Sequence, residues 1–334
     1  MFCFKCSSSI IYSSMIPRRL GSQPVRCHST KWLSSTFNLT LHNYQQVPQT
    51  YQLELGEADI PDVNPNTPSI LAVHPSGSSY KQWSGLSNFI EHGSCSGLFG
   101  LNMFGYGLSD RWNIKHRKQQ ILDHVSMVTS AATAARPETS WHLIGHSMGA
   151  GSVLATAATQ SELSDRLASV SVFEPNLFSL LLVGNAEEQR VLADGDIFFK
   201  HMMAAASAED WDMWGKLFYR FWFDGKWDAL EEGAKKVLLH TTVPHTVYEI
   251  QSLKWAIDQG PDLARSMMDR LADLRCKKKM VISAVPGIGS KDSLMALARL
   301  LRREAGFEII RAPVGGHMGP VTHRDTILPL LLSK

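Results

Sequence analysis

The chain has 334 residues and is short of three things: long apolar runs, cysteine and, through its first 53 residues, any acid. No apolar stretch approaches the roughly 18 residues needed to cross a bilayer, so no transmembrane segment is expected. Five cysteines in this length do not build a disulfide framework. Three of them, Cys3, Cys6 and Cys27, stand near His28, but their flanks lack the strand-and-turn pattern of a zinc module. No other spaced His/Asp cluster appears, so no metal is expected. Val285-Pro286-Gly287-Ile288-Gly289 lacks the third glycine of a dinucleotide loop, so no nucleotide cofactor is implied. Internal repeats are absent.

The missing acids make the net charge of +2 misleading. Residues 1–53 carry Lys5, Arg18, Arg19, Arg26 and Lys31 with no Asp or Glu, leaving 28 basic against 31 acidic residues in the remainder. A mildly acidic body lacks the basic face that nucleic-acid binding requires, so no nucleic-acid partner is expected. The Ser-rich, acid-free head has the composition of an organellar transit peptide. A mitochondrial address is expected, with a chloroplast address or an untargeted, disordered cytoplasmic tail as alternatives. The head is placed at residues 1–35, with its boundary near residues 28–35.

From Thr36 the texture changes. Residues 36–44 and 49–55 alternate apolar and polar, as half-buried strands do. Residues 69–74, 95–101, 140–144, 168–173, 280–285 and 307–312 read as further strands. Residues 79–91, 114–135, 148–159, 292–305 and 322–333 read as helices. Strands alternating with helices imply a mostly parallel sheet covered on both faces. Residues 36–175 and 276–334 form this expected core. Residues 176–275 break the pattern as a helical, Trp-rich cap with five of the nine tryptophans. Within it Trp211, Trp214, Phe218, Phe221 and Trp222 share one helical face, while Asp212, Lys216, Arg220 and Asp224 step along the other. That stripe can pack cap onto core, line an apolar pocket or meet a membrane surface.

Gly145-His146-Ser147-Met148-Gly149 fits G-x-S-x-G between an expected strand and an expected helix. The spacing is steric: only small residues let so sharp a turn close, and the turn lifts Ser147 free above the sheet. A serine hydroxyl needs a base. His317 follows the last expected strand in a Gly-rich loop able to carry an imidazole back to Ser147, and His323 is a weaker rival. Two backbone N–H groups should form an oxyanion hole: that of Met148, and that of Ser76 in the loop after residues 69–74, where Pro75 has none. His74 and His146 are read as supporting groups.

These pieces resemble the α/β-hydrolase-fold serine hydrolases. The likeness rests on His74-Pro75-Ser76, Ser79 to Trp83, Gly105-Tyr106-Gly107, Gly145 to Gly149, Phe173-Glu174-Pro175-Asn176 and Gly316-His317-Met318, and spans about residues 36–334. It is similar to a bacterial-type subgroup with an H-x-S-x-S-S-x-x-Q-W loop and an E-P-x-x-F segment. The resemblance implies an α/β-hydrolase fold, a hydrolase with no cofactor and a small, apolar substrate. Two departures stand out. Asn102 replaces an Asp common in relatives. No carboxylate follows Met280–Val285 directly, so the acid is Glu174, at the end of the strand after the nucleophile helix, or Asp292, or else the acid is distant or absent. Ester hydrolysis through an acyl-enzyme is the leading expectation. C–C bond hydrolysis and non-catalytic small-molecule binding are the alternatives.

Overall fold

The computed structural model describes residues 30–60, 63–159, 162–223 and 227–332. The head's first 29 residues, with Cys3, Cys6, Cys27 and His28, lie outside them. Eight strands form one sheet: β1 (Trp32–His42), β2 (Pro48–Ala58), β3 (Ser69–Val73), β4 (Leu98–Leu101), β5 (Trp141–His146), β6 (Leu167–Phe173), β7 (Lys277–Ile282) and β8 (Glu308–Arg311). Their order is β1-β2-β4-β3-β5-β6-β7-β8. The pairings from β4 to β8 are parallel, while β1 pairs β2 and β2 pairs β4 antiparallel. The central strands are apolar throughout because helices cover both faces; every residue of β3 is buried. β1 keeps the alternation of a strand with one wet face.

The helices are α1 (Ile121–Ala135), α2 (Met148–Ala157), α3 (Ala186–Ser207), α4 (Trp211–Trp222), α5 (Glu232–Thr241), α6 (Val243–Asp258), α7 (Pro261–Asp273), α8 (Lys291–Ala305), the single turn α9 (Gly319–Thr322) and α10 (Arg324–Leu331). Helices α3 to α7 lie between β6 and β7. Capping sets several boundaries. Gln120 and Asp123 form a capping box at α1, and Arg117 ion-pairs with Asp123. The helix expected from residue 114 therefore starts only at Ile121, with turns before it. Asn185 and Glu188 cap α3 in the same way, and Glu188, though buried, receives both guanidinium ends of Arg303 on α8 at 2.9 Å. That pair clamps the insertion to the core. Residues 80–89 form a 3-10 helix rather than an α-helix. The last expected helix is split at His323. β1 begins at Trp32, four residues before the expected start, where the indole packs on Tyr80 at 5.0 Å and donates to Ser84 Oγ at 2.9 Å.

Asn102, just after β4, shows why an amide stands at this position. It is buried, accepts from the Tyr80 N–H at 2.8 Å and donates through Nδ2 to Glu54 Oε2 at 2.7 Å. A carboxylate there would face Glu54 with no proton to give. Asn102→Asp is expected to cost about 1–3 kcal/mol of stability at pH 8, and less at pH 5, where a shared proton restores the bond. Urea unfolding at the two pH values checks this; an equal or smaller loss at pH 8 would contradict it.

Candidate active site

Ser147 occupies the turn from β5 into α2 with φ 53° and ψ −116°. Holding a serine there costs about 1–3 kcal/mol, which the surrounding packing must supply. Two glycines let the turn close: a Cβ on Gly149 would stand 2.3 Å from the Val73 carbonyl oxygen, and one on Gly145 would stand 2.5 Å from Ala150 Cα. The Ser147 N–H donates to the Phe173 carbonyl at 2.9 Å, tying the turn to the end of β6.

His317 reaches this turn from the loop after β8. Its Nε2 lies 3.0 Å from Ser147 Oγ and its Nδ1 lies 2.6 Å from Glu174 Oε2. The carboxylate accepts, so Nδ1 carries the proton and Nε2 accepts from the Ser147 hydroxyl. Glu174 is fully buried, with φ 45°. Its other oxygen accepts from the Ser283 N–H at 2.9 Å and from the Ser283 hydroxyl. Of the two carboxylates considered, the structure brings Glu174 to His317. Asp292 sits exposed in the first turn of α8, and His323 turns instead to the Thr322 hydroxyl at 2.8 Å.

The supporting histidines are buried and bonded. His146 Nε2 donates to the His317 carbonyl at 2.8 Å, while its Nδ1 faces Gln82 Nε2 at 3.4 Å. His74 accepts from the Met103 N–H at Nε2 (3.1 Å) and donates from Nδ1 to the Pro75 carbonyl at 2.7 Å. His74 thus anchors the loop that carries Ser76. The Met148 N–H is the first of α2 and has no acceptor within the helix.

No family model matches the chain, and no curated protein matches it. Solved structures do. An esterase from Thermogutta terrifontis superposes with TM-score 0.54 at 13% identity, covering 89% of this chain and 96% of that one. A haloalkane dehalogenase loop variant from Bradyrhizobium elkanii gives TM-score 0.58 at 13% identity, covering 89% and 94%. A peroxisomal α/β-hydrolase from Saccharomyces cerevisiae gives 0.53 at 13%, covering 91% and 88%. The chain has the α/β-hydrolase fold.

In this α/β-hydrolase fold the insertion between β6 and β7 roofs the site. A pocket opens at Ser147 and His317, walled by Phe218, Phe223, Leu238 and Met318. Trp222 stacks on the His317 ring at 4.5 Å and 25°, and Phe223 meets it edge-on at 5.9 Å. The aromatic stripe therefore does two of the three things open to it. Trp214, Phe218, Phe221 and Trp222 are buried: Trp222 packs on His317 of the core, Phe221 on Phe198 within the insertion at 4.7 Å, and Phe218 also walls the pocket. Trp211, placed on the same face by spacing, is 37% exposed. Sequence reasoning missed Ser283, counted as strand, and Glu249 on α6. The signal for Glu249 was its place on the buried helical face with His245, Leu253 and Ala256.

Burial sets the charge states. It pushes His74 down to about 4, His124 to about 3 and His245 to about 4, the last aided by Arg111. His146 is pushed well below the ordinary value by burial and then by its neighbour His317. All four stay neutral in the folded state through a range where the unfolded chain protonates them. Depressed folded values mean that stability is present above pH 6.5 and is lost as pH falls toward 4. Glu249, raised by burial to about 7, works the opposite way across about pH 4.5 to 7. Four groups outweigh one, so unfolding free energy should rise from pH 4.5 to 6.5 in urea titrations. A flat or falling curve would contradict these assignments.

Proposed function

We propose that the chain is a serine hydrolase that cleaves an ester or a similar acyl bond through an acyl-enzyme. The observation that carries this reading is the unbroken run Ser147–His317–Glu174 on a strained elbow roofed by apolar side chains. In the first half-reaction Ser147 Oγ attacks the acyl carbon while His317 Nε2 takes the hydroxyl proton. Glu174 holds Nδ1–H, fixing the tautomer and stabilising the imidazolium. The Met148 and Ser76 N–H groups take the charge that develops on the carbonyl oxygen. The intermediate collapses, the bond to the alcohol breaks, and His317 returns the proton to the leaving oxygen. Water then attacks the acyl-enzyme with His317 again as base; the acid departs and Ser147 regains its proton. His74 and His146 hold the two loops in place without titrating.

Phe218, Phe223, Leu238 and Met318 favour a small substrate with an apolar group beside the acyl carbon. The one sequence feature in favour of a non-catalytic binder, the missing carboxylate after β7, loses its weight with Glu174 at His317. The esterase among the structural neighbours is consistent with this reaction class.

A fluorophosphonate probe should label the wild type and fail on Ser147→Ala; a folded wild type that stays unlabelled sinks the proposal. Glu174→Gln should lower kcat on p-nitrophenyl esters by about 10²–10⁴-fold, with Asp292→Asn changing it less than about twofold; the reverse ranking would move the acid to Asp292. A panel of graded acyl length then identifies the preferred chain. For the head we propose a mitochondrial address, supported by its charge and serine content. Residues 1–35 fused to a fluorescent protein should carry it into mitochondria, and diffuse cytoplasmic signal would refute that.

A further inference from the structure

A second carboxyl group lies just behind the pocket, and the reaction above does not use it. Glu249 stands on α6 of the insertion, 3% exposed. It accepts from the Ser76 hydroxyl through Oε2 at 2.5 Å, across 173 residues of chain. The neighbouring Gly77 N–H donates to Tyr106 Oη at 3.1 Å. The hydroxyls of Ser76 and Tyr106 both act to keep Glu249 ionised against its burial. Tyr106 is itself wedged, with the His74 ring edge-on at 4.9 Å and the His245 ring at 5.0 Å. Gly105 makes room for His245: a Cβ there would stand 2.2 Å from His245 Nδ1.

We infer that Glu249 is a positioning residue, whose carboxylate fixes the Ser76 side chain and through it the Ser76 amide that receives the oxyanion. The inference rests on the proposed role of that amide. A backbone donor works only if it already points at the place where charge will develop. The loop His74–Gly77 lies outside regular structure, so no strand or helix ladder fixes its amides. It is fixed instead by three side chains from three directions: His74 on the Pro75 carbonyl, Tyr106 on the Gly77 N–H and Glu249 on the Ser76 hydroxyl. Glu249 alone comes from the insertion, so it couples the roof to the oxyanion loop.

Glu249 is a costly residue if its purpose is packing. A buried carboxylate is expensive, and burial drives its protonation up to about 7. Glu249 lines a narrow gap together with Gln119 and His124. One polar atom of each of the three is without a protein partner. The bond to Ser76, with Tyr106 beside it, thus ties the carboxylate to the loop of the site.

The test compares Glu249→Leu, Glu249→Gln, Ser76→Ala and the Ser76→Ala/Glu249→Leu double variant on one p-nitrophenyl ester. Each is first checked for wild-type circular dichroism and fluorophosphonate labelling of Ser147. Glu249→Leu should lower kcat about tenfold with KM within about twofold, because the lost contact matters in the transition state. Glu249→Gln, which keeps an acceptor, should recover to within about threefold of wild type. Ser76→Ala should lose about as much as Glu249→Leu, and the double variant should lose no more than either single one. A folded Glu249→Leu with wild-type kcat, or losses that multiply in the double variant, overturns the inference while leaving the serine mechanism intact. If Glu249→Leu does not fold, Ser76→Ala decides: wild-type kcat there overturns it equally. A wild type that neither labels nor turns over esters overturns the serine reading, and this inference falls with it.

Discussion

The hydrogen bond from His317 Nδ1 to Glu174, 2.6 Å long and fully buried, is the constraint around which the rest of the site is arranged. It joins the end of β6 to the loop after β8 across 143 residues of chain, with β7 between the two strands. Several other contacts of the site serve one of its ends. Ser283 donates twice to the far oxygen of Glu174, and His146 holds the His317 backbone. Trp222 fixes the plane of the imidazole. With Nδ1 committed to the carboxylate, Nε2 is free to accept only from Ser147.

The sheet places these groups together before any side chain is considered. The chain order reverses where β3 and β5 sit side by side, since β4 lies on one side of β3 and β5 on the other. The crevice beyond the carboxyl ends of strands at such a switch point is where open α/β sheets hold their ligands. Ser76 follows β3, Ser147 follows β5, Glu174 follows β6 and His317 follows β8, so four strand ends converge on one crevice. The insertion closes it from above with aromatic side chains. That burial excludes water and strengthens each charge-assisted bond beneath it.

What could be read from the sequence was local. G-x-S-x-G announces its turn because Gly145 answers to a clash with Ala150, five residues on, although Gly149 answers to the distant Val73 carbonyl; the apolar run of β3 announces a buried central strand. Helix starts were less legible. Residues 114–120 have helical spacing, yet the Arg117–Asp123 pair and the capping box start α1 at Ile121. Glu249 and Ser283 were not legible, because each gains its meaning from a partner more than a hundred residues away. Trp222 was visible as one of a stripe, but its contact with His317 depends on how α4 is docked, and periodicity is silent on docking. Asn102 is intermediate: its departure from relatives was plain, and its reason appeared only with Glu54 beside it.

The placement of the acid shows how such a departure is accommodated. Ser147 and Glu174 leave the ends of the paired strands β5 and β6, so His317, arriving after β8, meets both at one place. Glutamate has one methylene more than aspartate, and at φ 45° the Glu174 backbone is turned out of the strand line at that point. The end of β7, relieved of supplying an acceptor, supplies donors instead: the Ser283 N–H and hydroxyl both meet Glu174 there. The proton relay is therefore specified by the relation between the groups and not by the strand that carries each of them.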